Sequence, residues 1–181
     1  MTFTQKFYAL VAFQLVLVLG LLGSKQLTLR TGERFLLRAA PVDPIDTFRG
    51  EYVHLGYDTL TEVESFAIDG PAPVKGEILY VSLARAGRFA TRAAVSRTPP
   101  TDALAYLRGM VVSADKDHCR VEYGIESWFV PRGQGPELER QAARKDRQLL
   151  AEIAVDRIGH AVLRAVTVEP TRFSEPTPFS R

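Results

Sequence analysis

Histidine, cysteine, paired carboxylates and serine are the side chains of this sequence that could carry chemistry. The three histidines, His54, His118 and His160, stand far apart. No HxH or HExxH spacing joins them, so they read as separate surface or turn residues and not as a metal set. Cys119 is the single cysteine, which excludes an intramolecular disulfide and any CxxC site. It follows His118 directly. Neighbours on a strand point to opposite faces, so no Cys–His dyad is expected, and Cys119 reads as a small core residue. Asp43 and Glu51 lack a third ligand for a cation; turn capping or a pair with Arg49 accounts for them. Ser65, Ser82 and Ser96 carry no surrounding pattern that marks an activated nucleophile. The sequence therefore predicts no catalytic, cofactor or metal site.

Residues suited to recognition are easier to find. Trp128 and Phe129 precede the turn Arg132-Gly133-Gln134-Gly135, a setting where binding residues gather. They are candidates for a partner or membrane-surface contact, with core packing as the plainer reading. Gln14 lies inside an apolar run, where its amide favours a partner on another helix. Arg140, Arg144, Lys145 and Arg147 suit either anionic headgroups or a solvated helix end.

The elements that position these residues begin with residues 7–23, FYALVAFQLVLVLGLLG. These 17 residues carry no charge and one strongly polar side chain, Gln14. As a helix they span about 25 Å, at the short end for a bilayer crossing. Lys6 and Lys25 bracket the run and can snorkel to headgroups. A signal peptide needs small residues at its exit, and Leu21 fits that badly. An uncleaved single-pass anchor over residues 1–26 is the expectation. The count of basic residues on the two sides favours a cytoplasmic domain. The short N-terminus favours a signal-anchor, with an extracytoplasmic domain in a bacterial inner membrane.

Lys6 and Lys25 are the only charged residues before position 27. The rest of the chain holds 21 basic and 21 acidic residues, so the net charge of +2 belongs to the anchor. A formally neutral domain argues against a nucleic-acid partner, which needs a basic surface.

Residues 27–168 read as many short strands with turn signals between them, which predicts one mainly β domain, a barrel or sandwich. Residues 27–40 read as a hairpin around Thr31-Gly32-Glu33. Pro41 and Pro44 end that unit, since proline removes a ladder donor. In residues 51–57, Tyr52, His54 and Gly56 alternate with Val53, Leu55 and Tyr57. Residues 59–68 read as the returning strand. Further hairpins are expected across residues 85–87, 114–117 and 156–159, with a short extended piece at 128–131. Pro136 opens a predicted helix to about Arg147, acidic early and basic late as the helix dipole favours. Residues 169–181 read as a proline-containing tail.

Gly50-Glu51-Tyr52-Val53-His54-Leu55-Gly56-Tyr57 closely resembles the motif that names the GDYXXLXY family. Pro41-Val42-Asp43-Pro44, Arg49, Tyr123-Gly124-Ile125-Glu126 and Phe129-Val130-Pro131 fit the same resemblance, as does the single apolar segment. Its motif positions here are Gly50, Glu51, Tyr52, Leu55 and Tyr57, with Glu51 in place of the motif's Asp. The resemblance implies a membrane-anchored protein, expected beside multi-span membrane proteins, and no activity. A fainter similarity is to the type I signal peptidase barrel, through Pro44, Gly50-Glu51, Gly76-Glu77-Ile78-Leu79-Tyr80-Val81 and Thr91-Arg92. No serine precedes Pro44, and Thr91 stands where that family has its general-base lysine, so a shared barrel is all it implies.

The expectation is a membrane-anchored, non-enzymatic interaction module, an accessory subunit of a multi-span membrane protein. The rivals are a hydrolytic or peptidase-like barrel at the membrane surface and an envelope ligand sensor.

Overall fold

The computed structural model describes residues 2–41, 52–57, 59–129 and 146–171. Among the described residues one α-helix, α1 (Phe3–Thr31), leads into ten strands: β1 (Glu33–Pro41), β2 (Tyr52–Gly56), β3 (Glu62–Glu64), β4 (Ile78–Ala86), β5 (Phe89–Ser96), β6 (Ala105–Ala114), β7 (His118–Glu122), β8 (Ser127–Phe129), β9 (Arg147–Val155) and β10 (Ala161–Pro170).

The strands form two five-stranded antiparallel sheets, ordered β10-β9-β1-β2-β8 and β3-β7-β6-β4-β5. Period-2 alternation turns one face of each strand inward. Phe35, Leu37 and Leu55 from the first sheet meet Leu79, Val81, Leu107, Val111 and Val121 from the second in one buried core. Three bulges, at Arg164 in β10, Ala93 in β5 and Val112 in β6, break the registers of β9–β10, β4–β5 and β6–β7. Each bulge bends its strand and tightens the local twist, which curls the sheets around the core. The mainly β reading of the sequence therefore holds.

Three readings need correction. Residues 27–31 are not the first arm of a hairpin but the last turns of α1, which is 29 residues long. The helical hydrogen bonding of the apolar run continues past Lys25, and Gly32 closes it by donating to the Thr28 carbonyl at 2.8 Å. Residues 59–68 do not return beside β2. Only Glu62–Glu64 are extended, and they pair with β7 in the other sheet before a 3-10 turn at Ser65–Ala67. Residues 169 and 170, expected to open the tail, belong to β10, which runs to Pro170 and pairs it with Arg147. Arg147 thus opens β9, while the helix predicted ahead of it falls outside the described residues.

The hairpins across residues 85–87, 114–117 and 156–159 form as read, with Gly87 and Gly159 at positive φ in their turns. The last turns of α1 pack against β9 and β10, and residues 12–27 of the helix are exposed.

Candidate functional site

Gly50 and Glu51 lie outside the described residues, as do Asp43 and Arg49; of Tyr52 and Val53 only the backbone is described. The rest of the motif forms β2 and the turn after it. β2 extends β1 through Ala40↔Gly56 and Pro41↔Leu55. It then pairs with β8 through Tyr52↔Phe129, Val53↔Trp128 and His54↔Ser127. Leu55 and Tyr57 are two apart, so both face the core, each about 1% exposed.

Just after Tyr57 the chain leaves the first sheet for the second. The backbone N–H groups of Leu60 and Thr61 donate to the Tyr57 carbonyl at 2.9 Å. The Thr61 hydroxyl accepts from the Tyr57 N–H at 2.9 Å. Beside this crossover a second one, residues 123–126, carries the chain from β7 back to β8. The two are bonded together. The Leu55 N–H donates to the Glu126 carbonyl at 2.6 Å, and the Val121 N–H donates to the Thr61 carbonyl at 2.9 Å.

Two tyrosines latch this corner. The Tyr57 hydroxyl donates to the Ile125 carbonyl at 2.7 Å, and the Tyr123 hydroxyl donates to the Leu60 carbonyl at 2.8 Å. Glu126, also buried, accepts from the Tyr123 N–H at 2.6 Å through Oε1. Burial pushes both phenols far above their ordinary range, and the nearby Glu126 charge adds to the effect. Both hydroxyls therefore stay protonated donors. Their acceptors are backbone carbonyls, so the corner spans two sheets without leaving those groups unpaired.

The other reactive side chains do not converge on this corner. His118 is exposed and pairs across the ladder with Glu64. His160 sits in the β9–β10 turn, its Nδ1 3.5 Å from Asp156 Oδ2. His54 lies half-buried on β2. Among the described residues no three His, Cys, Asp or Glu side chains are placed to hold a metal. Cys119 is buried in the core, and burial pushes its thiol up. The hydroxyls of Ser65 and Ser96 donate to the backbone carbonyls of Asp115 and Thr98. Ser82 borders an open depression of about 500 Å³ shared with Pro100, Thr101 and Leu104.

Trp128 and Phe129 divide as strand neighbours do. Trp128 packs against the core, while Phe129, at the end of β8, is 74% exposed. Gln14 is exposed on α1.

Sequence reasoning quoted residues 123–126 but gave Tyr123 and Glu126 no role. Their signal was a Tyr-Gly step, since Gly124 takes φ +78° and turns the chain out of β7. It missed Gly109 altogether. A Cβ there would lie 2.7 Å from Cε1 of Tyr123, so the latch ring stacks on bare backbone. It also missed Asp156, which joins the β9–β10 turn to α1.

These features define a class: a two-sheet β protein with a tyrosine-latched corner and an exposed apolar helix leading into it. The chain belongs to the GDYXXLXY protein family, whose model matches residues 14–166. No curated protein and no solved structure matches the chain.

Proposed function

We propose that this is a single-pass membrane protein whose β domain is a non-enzymatic interaction module, serving as accessory subunit to a multi-span membrane protein. The carrying observation is α1. It is long and apolar enough to cross a membrane, and none of its apolar window is buried against the protein. Such a helix is stable where lipid or another helix surrounds it. Gln14 on that helix favours a hydrogen-bonding neighbour in the bilayer. The Phe129 side chain, exposed beside the core-packed Trp128, offers an apolar contact surface. We place the domain on the extracytoplasmic side of a bacterial inner membrane.

The test is co-purification. The C-terminus is tagged, membranes are extracted in mild detergent, and co-eluting proteins are identified by mass spectrometry. A multi-span protein at near-equal amount is the expected result. Gln14→Leu and Phe129→Ser should each reduce its recovery while the protein remains membrane-bound and folded. A monomer that elutes without a stoichiometric companion would sink the accessory-subunit reading.

A further inference from the structure

We infer that the β9–β10 turn, residues 156–159, is a lipid-contacting tip that rests in the headgroup layer and sets the β domain against the membrane. This rests on reading α1 as a membrane span. The turn is stapled to the helix: the Thr28 hydroxyl lies 3.3 Å from Asp156 Oδ2. Gly32 passes so near β9 that a Cβ there would come within 2.9 Å of the Val155 carbonyl oxygen. Register fixes the direction of the turn. Glu33, at the start of β1, pairs with Val155, at the end of β9. The turn therefore projects beyond the start of β1, back along the helix toward its apolar run.

The depth agrees. Thr28 lies five residues beyond Gly23, about 7.5 Å along the helix axis. Each headgroup layer is about 5–7.5 Å thick, from a hydrocarbon core of about 30 Å inside a bilayer of about 40–45 Å. The side chain at the tip is Ile158, 60% exposed. Lone exposed isoleucines are ordinary on protein surfaces. This one differs in its setting: its turn is bonded to α1, where Lys25 and Arg30 are exposed and are the charged residues between positions 24 and 32, and exposed Arg157 precedes it, while the Asp156 carboxylate is engaged by its own turn and Thr28. Exposed cations on the last turns of α1 and beside an apolar tip complement an anionic lipid surface.

The turn is also built rigidly. Asp156 Oδ1 accepts from the Ile158 and His160 N–H groups at 3.0 and 2.9 Å. Gly159, at φ +82°, has the Tyr106 ring where a Cβ would stand. Its carbonyl accepts from the Arg108 N–H at 2.8 Å, and the Tyr106 hydroxyl donates to the Arg157 carbonyl at 3.2 Å. Ile158 is thereby held outward at fixed geometry.

The test uses the full chain in phosphatidylglycerol-containing nanodiscs, with Cys119→Ala as background. A nitroxide is attached to a cysteine at position 158, 19 or 116, and its depth is read from oxygen and nickel-chelate accessibility. Position 158 should report headgroup depth, 19 the hydrocarbon, and 116, at the far end of β6, water. Water at 158 with hydrocarbon at 19 overturns this inference and leaves the anchor standing. Water at 19 overturns the anchor and the inference with it. With the label moved to 157, Ile158→Asp should shift it out to water. An unchanged depth would refute the role of Ile158.

Discussion

Tyr57 and Tyr123 hold each other's crossover: the hydroxyl of each donates to a backbone carbonyl of the loop that carries the other. Tyr57 follows β2 where the chain leaves the first sheet, and Tyr123 begins the segment returning to it. At such a corner the ladder bonds stop, and buried carbonyls need other donors. A phenol supplies one at the end of a large apolar ring, so one side chain fills the core and completes the hydrogen bonding. That is a physical reason for the last Tyr of the family motif, and Leu55 fills the same inner face two residues before it.

Removing either hydroxyl should therefore destabilise the protein without emptying the core. Tyr57→Phe leaves the Ile125 carbonyl without this donor, at a cost of about 1–3 kcal/mol. For a chain of this size each kcal/mol lowers the melting midpoint by about 2–4 °C. Thermal melts of the full chain in detergent would show it, with Tyr8→Phe on the exposed helix leaving the midpoint in place. Both latches tie the same two loops, so Tyr57→Phe with Tyr123→Phe should depart from additivity by about 0.5 kcal/mol or more. Strict additivity would mean the latches act independently.

The same burial makes stability depend on alkaline pH. Both phenols titrate far higher in the folded protein than their ordinary value of about 10. Unfolding above that pH releases two protons that the native state keeps. The stabilisation is complete below about pH 10 and is lost as pH rises beyond it, at about 1.4 kcal/mol per pH unit for each tyrosine. Denaturant titrations at successive alkaline pH values should show the decline, and Tyr57→Phe should remove half of this contribution. In the folded protein, phenolate absorbance should lack two tyrosines until unfolding. A full count of phenolates in the folded state would contradict this.

What the sequence made legible follows from range. The hairpins β4–β5, β6–β7 and β9–β10 were readable because alternation and turn residues act between neighbours in the chain. The alternation of residues 51–57 placed Leu55 and Tyr57 on one face. Local pattern could not show that residues 59–68 cross to another sheet, because the partner of β3 is β7, more than fifty residues on. Nor could it show that helix persists to Thr31. Leu27-Thr28-Leu29 suits a strand as well as a helix, and the contacts with β9 that decide it are remote. Tyr123 and Gly109 were invisible as a pair for the same reason.

Gly109 offers a sharper test of that pairing. It sits within β6, where glycine is normally a weakness, and its φ is not positive. Its requirement is space alone, for the Tyr123 ring and a Val121 methyl that would meet its Cβ. Gly109→Ala should cost about 1–3 kcal/mol through overpacking, despite alanine's smaller backbone entropy loss. The same substitution made in Val121→Ala should cost less, since one of the clashing groups is gone. Equal costs in the two backgrounds, measured by urea unfolding, would place the strain elsewhere.

Asp156 and Asp115 hold their turns in the same way, each carboxylate accepting two backbone N–H groups. Asp115 Oδ1 takes those of Asp117 and His118, and these bonds keep its carboxyl below the usual range. Asp156 Oδ1 takes those of Ile158 and His160, but its other oxygen also faces the Thr28 hydroxyl. Alanine in place of either aspartate removes these local bonds. Only Asp156→Ala also frees the end of α1. Amide hydrogen exchange should therefore rise at residues 117 and 118 in Asp115→Ala, and no further. In Asp156→Ala it should rise at 158 and 160 and also at Gly32, whose N–H closes the helix on the Thr28 carbonyl. Thr28→Val should show the Gly32 effect alone, and weakly, because its hydroxyl divides between Asp156 and the Ser24 carbonyl at 3.2 Å. If Gly32 exchanges identically in all three variants, helix and sheet are joined by packing, and the hydrogen bond between Thr28 and Asp156 does not couple them.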